Sequence, residues 1–167
     1  KKFSMTVAQA EDFYGPVRGA LTKKFSSFGT KRAMEALGRE FGFIVPDSAV
    51  RNACEEIAPL FGLQQFEEIV KFMTGYRPSE VSEAEKAYMG REGCLGLVYE
   101  GIDAVRKIRG IVGVTDPSQA RPGSVRREYG RDVMVNAIHA SDSVENAMRE
   151  LKIIRIEEDT IKKLVDK

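Results

Sequence analysis

Most of this sequence carries the periodicity of α-helices, and only a few short apolar runs have the length of strands. The candidate strands lie at 3–5, 41–46, 94–101 and 134–141. We find no internal repeat and no low-complexity linker between the helical segments. The pattern therefore predicts a mostly helical chain that also contains a small sheet.

Apolar residues recur at helical spacing in six segments, which lie at 7–25, 31–41, 48–61, 65–75, 102–113 and 141–151. Thr6 is suited to cap the first segment, and we expect Gly15 and Pro16 to interrupt it. The fourth segment has one apolar face, formed by Phe66, Ile69, Val70 and Met73. The fifth is expected to bury Ile102, Val105, Ile108 and Val112. Residues 79–93 are rich in charge and are predicted to be solvated.

The charges of the chain are nearly balanced, with 26 Lys and Arg against 25 Asp and Glu. A net charge of +1 gives no general reason to expect a nucleic acid or an anionic membrane as a partner. No run of about 18 apolar residues is present, so we expect no transmembrane span. Cys54 and Cys94 are far apart and lack metal-ligand spacing, which favours reduced thiols and a cytoplasmic protein.

The single histidine, His139, lies where a predicted strand gives way to a predicted helix. Such a junction offers unpaired backbone N–H groups and the positive end of a helix dipole, which suit a phosphate. Asp142 or Ser143 is expected to begin the helix, and Glu150 lies on the same face as Ser143. A carboxylate that holds one ring nitrogen leaves the other as a nucleophile. The alternative is a packed histidine with an ordinary hydrogen bond.

Two arginines and two hydrogen-bonding side chains accompany the histidine within about forty residues. Arg109 ends one predicted helix, and Arg126 follows a turn in the long loop 113–130, where we expect one helical turn. Arginine is suited to bidentate phosphate contacts, and Thr115 and Asn136 can bond phosphate or ribose oxygens. Long ordered loops are often functional. The grouping favours an anionic ligand.

The stretch from Arg109 to Glu150 closely resembles the nucleoside diphosphate kinase family. The family's histidine segment, N-x-I-H-[AG]-S-D-S, stands here at 136–143 without a gap. The resemblance continues through 94–110, weakly through 65–75, and again through 3–14, so it covers somewhat over half of the chain. It implies an α+β fold, a ferredoxin-like βαββαβ sandwich.

The resemblance implies one nucleoside diphosphate kinase-like domain over 1–167, with a largely helical insertion at 20–64 and a smaller one at 76–93. The family's first strand, with its Lys-Pro-Asp turn, precedes the segment that matches Phe3 to Met5. The sequence begins KKFSMTVAQA, without an initiator methionine or the apolar core of a signal peptide. We therefore expect the chain to be a fragment that lacks the first strand.

The resemblance also implies a role for individual residues. His139 would be the phosphorylated nucleophile, Glu150 would orient it and Ser141 would support it. The nucleotide would be bound through its phosphates, sugar and base by Arg109, Thr115, Arg126, Asn136, Tyr14, Val133 and Ile69. Gln65 stands where the family has an aromatic ring on the base, and loss of stacking costs about 1 kcal/mol or more.

The implied reaction is a ping-pong transfer of the γ-phosphate of a nucleoside triphosphate, usually ATP, to His139 and then to a nucleoside diphosphate. No carboxylate cluster demands a protein-bound metal, so Mg²⁺ is expected to arrive with the nucleotide. The loop 113–122 would form subunit contacts in a trimer or hexamer. The alternative is a catalytically weak relative that acts as an oligomeric nucleotide-binding or partner-binding module.

Overall fold

The computed structural model describes residues 1–42, 44–132 and 135–157. The chain divides into two compact units. The hairpin unit comprises residues 4–93, and the histidine unit comprises residues 1–3 together with the described residues from 94 onward. No helix in the described part of the chain is long and apolar enough to cross a bilayer.

Two long helices dominate the hairpin unit, namely α1 (Val7–Phe41) and α2 (Asp47–Thr74). The Thr6 side chain accepts a hydrogen bond from the Gln9 N–H at 3.2 Å, and the Thr6 N–H donates to Gln9 Oε1 at 3.0 Å. The predicted cap is therefore present. The predicted interruption is wrong, because α1 continues through Gly15 and Pro16. A proline removes one backbone hydrogen bond, and the packing of α1 on α2 outweighs that loss.

The predicted strand at 41–46 is also wrong for the residues that the structure describes there. Helix α1 ends at Phe41, and Gly42 takes the left-handed conformation with φ 67°, donating its N–H to the Gly38 carbonyl. The segment from Ile44 to Pro46 is irregular, and Ile44 is 94% exposed. An apolar run of this length does not form a strand without a partner strand beside it.

The core of the hairpin unit follows a row of side chains along α2 at every fourth position. The buried residues of that row are Val50, Cys54, Ala58, Gly62, Phe66, Val70 and Thr74. On the predicted apolar face Phe66 and Val70 are buried, while Ile69 and Met73 are half-buried. The rings of Phe25 and Phe61 stack at 4.4 Å between centroids. Apolar packing therefore holds the two helices together.

The charged segment after α2 contains a short 3₁₀ helix (Pro78–Glu80) and α3 (Glu83–Lys86). Arg77 forms ion pairs with Glu68 at 2.6 Å and Glu80 at 2.7 Å. Lys86 is 13% exposed and pairs with Glu83 at 2.7 Å and with Glu11 of α1 at 3.2 Å. The segment is thus anchored by charge on both α2 and α1.

The histidine unit contains all but one terminal residue each of β1 (Lys2–Ser4) and β2 (Gly93–Leu95). It also contains α4 (Ala104–Val112), α5 (Val125–Tyr129) and α6 (Val144–Ile153). Strands β1 and β2 form a two-stranded sheet. Lys1 and Gly96 exchange both backbone hydrogen bonds, at 2.8 and 2.7 Å, which makes the pair antiparallel. The described residues therefore form a helix-rich α+β structure.

Two strand predictions fail in this unit. Only the first part of 94–101 belongs to β2. Leu97 and Tyr99 are 57% and 64% exposed. A sheet of two strands gives this segment no second strand to pair with. Of the predicted strand 134–141, the described part is irregular. The prediction that Ile102 is buried is wrong, since α4 begins after it and its side chain is 85% exposed. Val112 is buried as expected, and the predicted helical turn in 113–130 is α5.

Candidate functional site

The histidine lies between a tight backbone turn and the start of α6. The Ile138 N–H donates to the Asn136 carbonyl at 3.0 Å, and Ala137 between them has φ 73°. This is a γ-turn of the rarer, positive-φ kind, which is strained for an alanine. Ser143 caps α6, because its hydroxyl accepts a hydrogen bond from the Asn146 N–H at 3.1 Å. The turn and the cap fix the chain on both sides of His139.

A buried carboxylate holds one nitrogen of the imidazole. Glu150 Oε2 lies 3.0 Å from His139 Nε2 and accepts a hydrogen bond from the Ser141 hydroxyl at 2.5 Å. The Glu150 side chain is 9% exposed and that of His139 is 38% exposed. An ionised carboxylate only accepts hydrogen bonds, so the contact assigns a proton to Nε2; in the neutral imidazole Nδ1 then keeps its lone pair.

Glu150 is ionised despite its burial. Burial by itself raises the pKa of this carboxyl, but the hydrogen bonds from His139 and Ser141 and the nearby charges of His139 and Arg149 lower it, and the net pKa lies below its usual value. A charged carboxylate beside the imidazole stabilises positive charge on the ring. The pair therefore suits a histidine nucleophile.

Two arginines bind the backbone on either side of the histidine. Arg126 donates to the Ile138 carbonyl from Nη2 at 2.9 Å and from Nε at 3.3 Å, and to the Gly113 carbonyl from Nη1 at 2.9 Å. Arg109 donates to the Ala140 carbonyl at 3.2 Å. Arg126 is buried, with 6% of its surface exposed, whereas Arg109 is exposed.

These arginines leave donors for an anion. Two of the five N–H groups of Arg126 bind no other group in the described part of the chain, and Arg109 uses a single N–H there. Burial and the positive charge of Arg109 both lower the pKa of Arg126, although arginine stays charged near neutral pH. An anion placed beside both guanidinium groups would relieve their mutual repulsion.

Side chain to backbone bonds tie down the loop that follows α4. Arg121 donates to the Gly110 carbonyl at 3.0 Å, and Arg127 donates to the Ser118 carbonyl at 2.9 Å. The Gly123 N–H donates to Glu128 at 2.9 Å. Thr115 lies exposed in this loop. The loop is therefore an ordered part of the unit that carries the histidine.

The other predicted site residues lie elsewhere. Asn136 is half-buried in the histidine unit, next to the γ-turn residue Ala137. Tyr14 and Ile69 belong to the hairpin unit, where Tyr14 is buried against Phe13 with ring centroids 4.9 Å apart. Val133 lies outside the described residues. The structure thus groups His139, Glu150, Ser141, Arg109 and Arg126, and places the two base and aromatic candidates in the other unit.

Sequence reasoning missed two residues of this cluster. Arg149 lies 3.6 Å from Glu150 Oε1, and its Nε lies 3.5 Å from Asn146 Oδ1. Asn146 in turn donates to Asp142 at 2.6 Å. Asp142 and Asn146 stand four apart on α6, a helix-surface spacing that signals such a bond, whereas no spacing rule brings adjacent residues such as Arg149 and Glu150 together.

A metal site built by the protein does not appear among the described residues. No group of three His, Cys, Asp or Glu side chains there has an arrangement that could hold an ion. Arg109 and Arg126 place two positive charges on the carbonyls that flank His139. The described side chains at this site therefore fit an anion better than a metal ion.

Comparison with a family profile and with several known proteins identifies the family of the chain. The profile of the nucleoside diphosphate kinase family matches residues 65–160. The chain belongs to the nucleoside diphosphate kinase family. The relative from Methanospirillum hungatei, a nucleoside diphosphate kinase, is 33% identical over 127 residues, which are 69% of this chain and 85% of that protein. The one from Staphylococcus epidermidis is 37% identical over 131 residues, with the same two coverages of 69% and 85%.

A third nucleoside diphosphate kinase, from Sulfurisphaera tokodaii, is 33% identical over 142 residues, which are 75% of this chain and 94% of that protein. Membership of the family makes this chain an enzyme of the nucleoside diphosphate kinase type, and thus a nucleotide-binding transferase. It also implies a ferredoxin-like α+β fold. The sequence prediction of the family is confirmed.

Proposed function

We propose that the enzyme transfers the γ-phosphate of a nucleoside triphosphate to a nucleoside diphosphate through a phosphohistidine at His139. The observation that carries this proposal is the contact between His139 Nε2 and the buried Glu150 carboxylate at 3.0 Å. It leaves Nδ1 as the nucleophilic nitrogen of the only histidine in the chain.

In the first half-reaction, the lone pair of Nδ1 attacks the γ-phosphorus of the triphosphate. The new P–N bond forms as the P–O bond to the β-phosphate breaks, and the bridging oxygen leaves with the electron pair on the nucleoside diphosphate. The imidazole then carries positive charge, with its Nε2 proton shared with Glu150. The second half-reaction reverses these steps with another nucleoside diphosphate, which gives a ping-pong sequence.

Phosphoryl transfer asks a protein mainly for positioning and for charge neutralisation. Arg109 and Arg126 have N–H groups left for phosphate oxygens, and they hold the backbone on both sides of His139. We assign the phosphates to these arginines and to Thr115, and the sugar to Asn136. The base contacts of Tyr14, Ile69 and Val133 remain predictions from the family resemblance.

The family is generally dependent on Mg²⁺, and the described residues offer no cluster of donors for the ion. We therefore propose that Mg²⁺ enters bound to the nucleotide phosphates, where it would neutralise charge. From the same resemblance we propose a homo-oligomer, a trimer or hexamer, with the loop 113–122 at subunit contacts. A cytoplasmic location is proposed because neither Cys54 nor Cys94 forms a disulfide.

A catalytically weak nucleotide-binding module is the second candidate. It is favoured by Gln65, a half-buried residue that stands where the family resemblance places a stacking ring. Weak base binding alone would raise KM without removing phosphoryl transfer, whereas a catalytically weak binding module would form little phosphohistidine even when saturated with nucleotide. The two candidates therefore differ in the chemistry of His139.

The test is incubation of the full chain with γ-labelled ATP and Mg²⁺, followed by addition of a second nucleoside diphosphate. We expect acid-labile, alkali-stable label on the protein, and its transfer to the added diphosphate. His139→Gln should take up no label. Lys152→Gln, an exposed change on α6, serves as the matched control and should label normally. Label that persists in His139→Gln would contradict the proposal, and nucleotide binding without labelling of the wild-type chain would support the second candidate.

A further inference from the structure

The second oxygen of the Glu150 carboxylate has a partner of its own. Oε2 accepts the bonds from His139 and Ser141, and Oε1 faces the Arg149 guanidinium, with Nη2 at 3.6 Å. That distance is an ion pair and is too long for a hydrogen bond. Arg149 therefore acts on the carboxylate through its charge.

Helix geometry alone does not explain why the Arg149 guanidinium lies close to the Glu150 carboxylate. Side chains of adjacent helical residues point about 100° apart, so Arg149 and Glu150 do not face each other by default. The Asn146 side chain lies one turn earlier, with its Oδ1 at 3.5 Å from Arg149 Nε, and Asp142 anchors its amide at 2.6 Å. The row Asp142, Asn146, Arg149 thus steers the guanidinium back over the carboxylate.

Burial makes the charge of Arg149 effective. The Glu150 side chain is 9% exposed and that of Arg149 is 34% exposed, so the pair is only partly screened by water. A carboxylate that is removed from water tends to take up a proton, and a nearby cation opposes this. A protonated Glu150 would no longer stabilise positive charge on His139.

We infer that Arg149 is a positioning residue of the phosphoryl-transfer site, which keeps Glu150 ionised and aligned on His139. The other charged groups around this pair are Arg109 and Arg126, bonded to the Ala140 and Ile138 carbonyls, and Asp142, bonded to Asn146. None of these three bonds involves the carboxylate. The inference rests on the proposed function for its catalytic meaning, while its electrostatic part stands on the geometry of Glu150.

The single histidine makes the electrostatic part directly measurable. In the full chain labelled with ¹⁵N-histidine, the imidazole titration reports His139 alone. Removing the positive charge in Arg149→Gln should move the imidazole titration to higher pH than in the wild type, because a cation near the ring opposes its protonation. Arg149→Lys should restore the wild-type value. Asn146→Ser, which removes the contact of Asn146 Oδ1 with Arg149 Nε, should move the titration in the same direction by less.

Lys152→Gln is the matched control, since it removes the same charge from an exposed position of α6. Equal pKa values for Arg149→Gln and Lys152→Gln would overturn the inference, as would a failure of Arg149→Lys to restore the wild-type value. These outcomes are readable whether or not His139 is phosphorylated.

Phosphoryl transfer provides the second readout. For Arg149→Gln, kcat/KM relative to wild type should be lower at pH 6 than at pH 8, because a protonated imidazole has no lone pair for phosphorus. The ratio for Arg149→Lys should not depend on pH. If His139→Gln still forms phosphoprotein, the proposed function fails while the titration decides the role of Arg149. If labelling depends on His139 but neither the titration nor the pH profile responds, the inference about Arg149 fails alone.

Discussion

Different interactions stabilise the interior of each of the two units. In the hairpin unit, apolar side chains from two long helices pack along a row that includes Phe66 and Val70. In the histidine unit, a buried arginine and a buried carboxylate, Arg126 and Glu150, take the central positions. The first unit is stabilised mainly by removal of apolar surface from water, whereas the second combines burial of Val112 and Ile154 with hydrogen bonds from buried charged side chains.

This difference separates a scaffold from a site. Apolar side chains do not titrate, so their packing responds little to pH, and they provide no reactive group. Buried charges respond to pH and to anions, and they are costly unless each is bonded. Arg126 and Glu150 meet that condition. Arg126 makes three hydrogen bonds to two backbone carbonyls, and Glu150 lies within bonding or ion-pair distance of His139, Ser141 and Arg149.

The largest expected effect is the loss of an aromatic ring from the hairpin core. Phe66 is 6% exposed, so Phe66→Ala should lower the free energy of unfolding of the hairpin unit by about 4 kcal/mol. Phe72→Ala, in the same helix at 54% exposure, is the matched control and should cost less than about 1 kcal/mol. Urea unfolding followed by helical circular dichroism measures both, and equal losses would contradict apolar packing at Phe66 as the source of stability.

The second effect tests the charged core of the histidine unit. Arg126→Met removes three hydrogen bonds to the Ile138 and Gly113 carbonyls and should destabilise this unit by about 3 kcal/mol. Arg106→Met removes an exposed arginine from α4 and should change stability by less than about 0.5 kcal/mol. Amide hydrogen exchange resolves the units, and a loss of protection confined to the hairpin unit would refute the assignment.

The helical part of the fold was largely readable from the sequence because its signals are local. Thr6 and Gln9 stand at the spacing of a capping box, and Phe66 and Val70 share one helical face. The strand predicted at the apolar run 41–46 was wrong, because a strand needs a neighbouring strand for its backbone hydrogen bonds, and the run itself does not show whether one is available. The continuity of α1 through Pro16 likewise depends on α2.

The sequence predicted the contact of the site in which one side chain binds another, but not the contacts between side chains and the backbone. The strand-to-helix junction and the helical register predicted that Glu150 can reach His139, and the structure has that contact at 3.0 Å. The bonds of Arg126 and Arg109 to backbone carbonyls could not be predicted, because every residue carries the same carbonyl. The approach of Arg149 to Glu150 also depends on the Asn146 side chain and has no spacing signal.

A smaller effect is expected in the pH dependence of the stability of the histidine unit. The pKa of Glu150 in the folded protein lies below its ordinary value of 4.5, so its stabilising contribution is present above that value and is lost as the pH falls through the folded pKa. Wild type should therefore exceed Glu150→Gln in stability at pH 7, and the difference should shrink below pH 4.5. Urea unfolding of both proteins at a series of pH values measures this. A difference that stays constant with pH would contradict a folded-state carboxylate.

The smallest effect is expected at an exposed ion pair of the hairpin unit. Arg51 and Asp47 pair at 2.5 Å across one turn of α2, with 56% and 53% of their side chains exposed. Solvent and salt screen such a pair, so Arg51→Gln should leave thermal unfolding unchanged within experimental error. A clear drop in the melting temperature would show that surface charge contributes to the stability of the hairpin, against the apolar account of this unit.

The central claim is that Glu150 holds His139 Nε2 and leaves Nδ1 to carry the phosphate. The most direct test is to phosphorylate the ¹⁵N-histidine-labelled chain from ATP and Mg²⁺ and to determine by ³¹P and ¹⁵N NMR which ring nitrogen is bonded to phosphorus. The account predicts phosphate on Nδ1, with a proton on Nε2. Phosphate on Nε2 would contradict it, because that nitrogen lies 3.0 Å from the buried carboxylate.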